Sequence, residues 1–223
     1  MILFTGTGAL AKSFSAFYPC TIVSARHLSD EDLIPYISSA NVIIHNAAVI
    51  QAAELSVYTD SNFLLTKRIL ELVYRINPGA TFINISSMSM LKTQDTYLQA
   101  EDMTDYAFSK YIAEQYCLRH PLKKLSNVRF STLFYEDPVR DGLSKLAFDA
   151  ITTTKIKIYN NGEAKRDFIP LEIAVKYLYK LSQQTDTPRK LNIASGDPLS
   201  FSHFSNILQF HNPSLEIENI SIK

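Results

Sequence analysis

Short apolar runs alternate with longer stretches of helical period along most of the chain. "MILFT" (1–5), "TIVSA" (21–25), "NVIIHNA" (41–47), "TFINIS" (81–86) and "NVRFSTL" (127–133) are hydrophobic segments of strand length, the pattern of strands buried on both faces. Between the last three, residues 57–76 and 104–120 carry apolar positions three and four apart, which predicts two amphipathic helices. Residues 26–40 leave room for one short helix, over about 30–39, so the second strand–helix–strand unit is cut to its minimum. Further on, "KIKIY" (155–159), a helix over 171–184, "KLNIA" (190–194) and a helix over 201–210 continue the rhythm. Asn160, Asn161 and Gly162 mark one turn, and Gly196, Asp197 and Pro198 another. The alternation predicts an α/β fold, a doubly wound parallel sheet with helices on both faces. No repeat or low-complexity linker interrupts it, so one domain over 1–223 is expected.

Composition narrows the function classes. Lys plus Arg and Asp plus Glu are both 22, with no block of like charge, which removes the electrostatic reason to expect nucleic acid or an anionic membrane as partner. Cys20 and Cys117 match no metal spacing and are expected to fill core space in a reducing compartment. His27, His45, His120, His203 and His211 show no ligand spacing either, so no metal is expected. "MILFTGTG" lacks a basic segment followed by a long apolar run, and no uninterrupted apolar segment approaches bilayer length. The expectation is a soluble, cytoplasmic protein without a signal peptide.

Two local patterns carry chemistry. "LFTGTGALAKSF" follows the first strand and opens a helix, giving Gly6, Gly8, Ala9, Leu10 and Ala11 in a G-x-G-x-x-A turn. Gly6 permits the turn, Gly8 lets backbone approach a pyrophosphate, and Ala11 lets helix and strand pack closely, with the helix N-terminus facing the phosphates. Where the second strand ends, Arg26 stands in place of the acid that would bind adenosine ribose hydroxyls; a guanidinium suits a 2′-phosphate. NADP is therefore the expected cofactor, with NAD left open by Asp30 and Asp32 nearby. In "TDYAFSKYIAEQY", Tyr106 and Lys110 are one helical turn apart on a stripe that continues to Ala113 and Cys117. A lysine on such a stripe is costly to desolvate unless paired, and a cofactor ribose and a phenol are suitable partners. The ammonium would also lower the phenol's pKa and fit it for proton transfer. Just upstream, "FINISSMSM" ends a strand in Ser86 and Ser87 at the carboxyl edge of the sheet.

These residues resemble the extended short-chain dehydrogenase/reductase superfamily, the NAD(P)-dependent sugar epimerases and dehydratases, over nearly the whole chain. "TGTGALA" is similar to the family's glycine turn, one residue shorter. "IIHNAA" resembles the motif lining the adenine and ribose side, with Asn46, Ala47 and Ala48. "NFLLTKRIL" resembles the helix bearing the family's asparagine, at Asn62. "ISSMSM" matches the catalytic serine segment with Ser87 at the catalytic position, and "YAFSK" supplies Tyr106 and Lys110. "IYNNGEAKRDFIPLEIA" is similar to the segment that binds the nucleotide of a sugar substrate, with Arg166 at the diphosphate-binding arginine, and "LNIASGDPLSF" to the segment that follows. The resemblance implies a Rossmann-type fold with a small C-terminal substrate-binding part, its elements at about 134–170 and 195–223. It implies that Tyr106 exchanges a proton with a sugar oxygen, Ser87 hydrogen-bonds that oxygen, and Lys110 holds the nicotinamide ribose. Asn62 is either a buried structural amide or a proton relay. Met88 lies beside the substrate, Arg166 pairs with a diphosphate or with a surface acid, and Tyr159 stacks on the nucleotide base or packs in the core.

Departures refine the expectation. Family 4,6-dehydratases carry Thr-Asp-Glu where this chain has Ser87, Met88 and Ser89, so dehydration is not expected. Leu91 and Lys92 replace a usual Tyr-Gly, Thr132 replaces an asparagine, and only 27 residues follow Gly196. Tyr111, Tyr116, Phe108 and Ile112 make the Tyr106 helix apolar on a second side, which predicts a helix-to-helix dimer contact, and the resemblance implies a homodimer through this helix and that at 57–76. The sequence thus points to an NADP-dependent reductase of a nucleotide-linked sugar, with an NAD-retaining epimerase and a non-catalytic NADP-sensing protein as alternatives.

Overall fold

A computed structural model describes residues 1–93, 96–135 and 142–221 and divides into two compact units, Met1–Phe130 with Ala174–Ile193, and Ser131–Ile173 with Ala194–Lys223. In the first unit the chain runs β1 (Ile2–Phe4), α1 (Ala9–Phe17), β2 (Thr21–Ile22), α2 (Asp30–Ser39) and β3 (Val42–His45). Then α3 (Leu55–Tyr58) passes through a π-helical turn (Thr59–Leu64) into α4 (Leu65–Ile76), followed by β4 (Thr81–Ser87), α5 (Asp105–Arg119), β5 (Leu125–Phe130) and a last strand, Lys190–Ile193. The described strands form one parallel six-stranded sheet, ordered from Lys190–Ile193 through β5, β4, β3 and β1 to β2. The expected Rossmann-type fold is present. The direction of winding reverses between β1 and β3, so the turn after β1 opens at the switch point where such sheets bind ligands.

Register explains why the site lies at one end of the sheet. Leu3, Ile43, Phe82 and Leu125 form a fully buried row across β1, β3, β4 and β5, and pack into the core with Ile69, Val73 and Cys117. Two residues further along each strand the same face turns polar: Thr5, just past β1, His45, Asn84 and Asn127 form the next row. Ser86, Arg129 and Asn192 form the row after that. Period-two alternation keeps these residues on one face, so the polarity is concentrated at the carboxyl ends of the strands, beneath α4 and α5.

Ser29 opens α2 with a capping box, its hydroxyl accepting from Asp32 N–H and its own N–H donating to the Asp32 carboxylate, which explains the sharp start after so short a β2. The run expected as one strand, "NVRFSTL", is broken at Ser131. Its first half pairs in the large sheet, whereas Thr132–Phe134 pairs with Phe168–Pro170 in the second unit.

The second unit also contains α6 (Gly142–Thr152), a parallel pair of Lys155–Tyr159 with Glu216–Ile220, an antiparallel pair of Lys165–Arg166 with Leu199–Ser200, and a helix at Phe201–His211. Leu146, Ala150, Ile156 and Leu215 make its small core, with Phe201, Phe204 and Leu208 against them. Asn160, Asn161 and Gly162 all have left-handed φ (47°, 57° and 65°), which accounts for the Asn-Asn-Gly composition of that turn. Neither α6 nor the Glu216–Ile220 strand was expected from the sequence. Leu143, Leu146 and Ala150 do carry helical spacing, but in a segment too short to stand out.

Candidate active site

The two glycines of the first turn do different work. A Cβ on Gly6 would lie 2.8 Å from both Cα and N of Ala47 and 2.9 Å from Asn46 Oδ1, so Gly6 is required by the loop after β3 pressing against the turn. A Cβ on Gly8 would meet nothing within 4 Å. Gly8 is the N-cap of α1, no side chain caps that end, and its first turn holds no acid, leaving it suited to an anion. Leu10 and Ala11 are buried against the sheet, so they offer a ligand backbone only; Ala9, Ala47 and Ala48 are half-buried. Asn46 Oδ1 is a buried acceptor with no donor on it. An uncapped helix start, an open Gly8 and an orphaned Asn46 oxygen together fit the phosphate and ribose end of a dinucleotide.

Arg26 is exposed on a single 3₁₀ turn (Ala25–His27) beyond β2. The turn is held from below by Arg68, which donates from Nη1 to Ala25 O (3.2 Å), from Nη2 to Leu28 O (2.7 Å) and from Nε to Asp30 Oδ1 (2.7 Å). Arg75 adds a longer contact to Asp30 at 3.8 Å. Both acids near Arg26 therefore have structural partners, Asp30 with these arginines and Asp32 in the α2 cap.

α5 begins at Asp105 because the Thr104 hydroxyl accepts from Ala107 N–H (3.2 Å). Tyr106, in its first turn, is half-buried, with its ring edge-on to Tyr58 at 6.3 Å. Lys110 is 3% exposed and donates to the Ile85 carbonyl of β4 at 2.5 Å, two residues before Ser87. That bond uses one of its three donors. Burial lowers its pKa to about 8. Ser87 ends β4 half-buried; its hydroxyl donates to Ser89 Oγ (2.9 Å) and accepts from Ser89 N–H (3.1 Å). Asn62 is fully buried in the π-helical turn: Oδ1 accepts from Val49 N–H (2.7 Å), while Nδ2 donates to Val49 O and to Ser109 Oγ, both at 2.9 Å. Its amide thus ties the loop after β3 to the residue preceding Lys110.

Two groups that sequence reasoning missed complete this region. His45, 1% exposed, meets Thr5 Oγ1 at 2.7 Å and Thr66 Oγ1 at 3.0 Å. Thr66 spends its hydroxyl proton on Asn62 O (2.7 Å), so His45 Nε2 must be the donor to Thr66 and Nδ1 the acceptor from Thr5. Burial, and secondarily the Lys110 charge, drive its pKa to about 3, so this imidazole is neutral. Glu114, one turn beyond Lys110, forms a fully buried pair with Arg129 of β5. The Lys110–Glu114 spacing was visible in the sequence; the strand position of Arg129 beneath it was not.

In the second unit, Arg166 is exposed and Tyr159 is 53% exposed. The neighbour of Arg166, Asp167, accepts from Ser195 N–H (2.9 Å), Ser195 Oγ (2.9 Å) and Gly196 N–H (2.8 Å). Burial raises its pKa, but the Ser131 hydroxyl first, and then these donors, outweigh that and hold it below the usual carboxylate value. Met88 is half-buried in the short turn after β4 in the first unit. Residues 136–141 and 222–223 of the expected substrate elements lie outside the described residues.

A family model described as the NAD dependent epimerase/dehydratase family matches residues 7–194. The chain belongs to this family. Among solved structures, the epimerase/dehydratase-family fold is shared with TunA, described as an NAD dependent NDP-hexosamine 5,6-dehydratase of tunicamycin biosynthesis, at 20% identity and TM-score 0.79, covering 100% of this chain and 84% of that one. It is shared also with MoeE5 in complex with UDP-glucuronic acid and NAD (18%, TM-score 0.79, 100% and 85%). A third is the UDP-N-acetylglucosamine 4-epimerase from Bacillus cereus (21%, TM-score 0.75, 99% and 84%). At these identities the likeness establishes the fold. Among the described residues no group of three metal-ligating side chains converges, and no helix is long and apolar enough to cross a membrane.

Proposed function

We propose that this family member is an NAD(P)-dependent oxidoreductase that reduces the keto group of a nucleotide-linked sugar, with Tyr106 as proton donor. The observation that carries the reading is the bond from Lys110 to Ile85 O, which joins the Tyr106 helix to β4 two residues before Ser87. Tyr106 gives its phenolic proton to the carbonyl oxygen, Ser87 donates a hydrogen bond to that oxygen, and Lys110 contacts the cofactor ribose and favours the phenolate. The glycine turn would hold the pyrophosphate of a nicotinamide dinucleotide, which would supply the hydride when bound. Met88 and Ser89 offer no carboxylate for removing water, which favours a reductase over a dehydratase. Asn62 is assigned a positioning role through Val49 and Ser109. The elements at 134–170 and 195–223 are assigned to substrate, with Arg166 for a diphosphate and Tyr159 for a base.

NADP is the proposed cofactor, supported by the exposed Arg26 and by the engagement of Asp30 and Asp32 elsewhere. Titration of the purified protein should give tighter binding of NADPH than NADH, with Arg26→Asp reversing the order. A wild-type preference for NADH overturns this assignment.

The reaction is tested by incubating the protein with NADPH and a panel of 4-keto nucleotide sugars. Net oxidation of NADPH is expected, and Tyr106→Phe should lower turnover by ~10²–10⁴-fold with cofactor binding intact. Retention of NAD through purification with interconversion of sugars and no net oxidation would make the protein an epimerase. Binding without turnover would make it a sensor. Full turnover in Tyr106→Phe removes this helix from the chemistry.

A further inference from the structure

Glu114 is 0% exposed and Arg129 is 2% exposed, in the helix and strand that flank Ser87. Two charges removed from water are tolerated only where every remaining hydrogen-bonding position is filled. Here they are. Glu114 Oε2 accepts from Ser86 Oγ (2.6 Å), Oε1 accepts from Tyr97 OH (2.8 Å), and both oxygens accept from Arg129 Nε (3.0 Å each). Arg129 Nη2 also bonds Glu114 and donates to Tyr97 OH (2.6 Å), and Nη1 reaches Asn192 Oδ1 at 3.4 Å. The guanidinium carbon lies 5.2 Å over the Tyr97 ring.

We propose that Glu114 is a positioning residue of the candidate site: its buried carboxylate locks α5 to Ser86 and Arg129, fixing Ser87 relative to Tyr106 and Lys110, and supplies the counter-charge for the Lys110 ammonium. The inference rests on the reading that Ser87, Tyr106 and Lys110 perform the chemistry. Tyr106, Lys110 and Glu114 follow one another at four-residue intervals on one helix, so a fixed Glu114 fixes the other two in translation and rotation. The other end of the lock is Ser86, which is bonded covalently to Ser87 and lies in register with Arg129.

Several groups act on or touch Lys110: Glu114 and Cys117 from its own helix, His45 from β3 and the Ile85 carbonyl from β4. The Cys117 thiol is pushed up to about 12 by burial and His45 is held neutral, so neither offers negative charge. That leaves the Glu114 carboxylate, shared with Arg129, as the group of opposite sign among these.

The experiment separates charge from position with two variants and two readouts. Lys110 is titrated by NMR of ¹³Cε-lysine in the cofactor-free protein, and kcat and KM are measured on a keto nucleotide sugar. In E114Q the carboxylate becomes a neutral amide of the same shape while Arg129 keeps its charge, so the negative partner alone is removed. Lys110 should then titrate at least about one pH unit below wild type, equivalent to about a tenfold change in protonation constant. E114D keeps the charge but withdraws it from Ser86 and Arg129. Lys110 should titrate near its wild-type value while kcat falls ~10–100-fold with KM little changed. A wild-type titration in folded E114Q, or wild-type kcat in E114D, overturns the proposal; if E114Q fails to fold, E114D decides. If wild type turns over none of the sugars, the proposed reaction fails, and the Lys110 titration still decides whether Glu114 acts on it.

Discussion

Lys110 shows what it costs to place an ammonium where chemistry needs it. It is buried, and its native pKa of about 8 lies below the 10.5 of a free lysine because burial disfavours the charged form. The unfolded chain therefore binds the extra proton between pH 8 and 10.5, so stability rises with pH across that window, and the full penalty is present below pH 8. A shift of this size corresponds to about 3 kcal/mol at neutral pH. Lys110→Met is accordingly expected to be more stable than wild type in urea denaturation at pH 7, by up to about 3 kcal/mol. The advantage should fade above pH 8, while turnover and NADPH affinity drop. Loss of stability in this variant at pH 7 would mean that the bond to Ile85 O outweighs the desolvation it accompanies.

At the scale of elements, the turn between β1 and α1 separates fold from ligand. Gly6→Ala forces a Cβ to 2.8 Å from the backbone of Ala47, so either β1 or the loop after β3 must shift. It should destabilise by about 1–3 kcal/mol, as overpacking does. Gly8→Ala meets open space and should cost less than about 1 kcal/mol as a change of N-cap. Yet it places a methyl where a pyrophosphate would approach, so dinucleotide affinity should fall at least tenfold (about 1.4 kcal/mol). Thermal unfolding and cofactor titration of the two variants check this together. Equal loss of stability, or unchanged affinity in Gly8→Ala, contradicts the division of roles.

At the scale of the whole molecule, the face of α4 and α5 turned away from the sheet is a groove lined by Phe63, Tyr74, Ile112 and Tyr116, with Glu71 and His120 bridging it. Tyr116 OH donates to Glu71, and His120 Nε2 lies 3.5 Å from the same carboxylate. A polar clasp within an aromatic surface on two adjacent helices suits a second copy of the chain related by a two-fold axis. Light scattering at micromolar concentration should give a mass near twice 25.2 kDa. Tyr74→Glu, at a residue 42% exposed, should return it to a monomer. A monomeric wild type refutes the assignment.

Much of this was written in local pattern. The strand runs, the helix at 30–39, the glycine turn after the first strand and the Tyr106–Lys110 spacing were legible because each depends on residues within one or two turns of each other. The break of "NVRFSTL" at Ser131 was not, since both halves mix apolar and polar residues and only the choice of pairing partner, Lys190–Ile193 or Phe168–Pro170, separates them. Nor could the sequence say that Asp30 would belong to Arg68 instead of to a ribose, or that Gly6 faces Ala47 while Gly8 faces open space. The deepest case is Arg129. On a strand expected to be hydrophobic it reads as an anomaly, and it is explained only when register sets it beside Ser86 and α5 lowers Glu114 onto both. The sequence by itself determined which elements form and which residue types could carry proton and hydride chemistry, because propensity and periodicity are local. Which buried charges meet, and hence which polar groups survive away from water, was decided by the tertiary structure, because only contacts between distant segments can replace the water those groups lose.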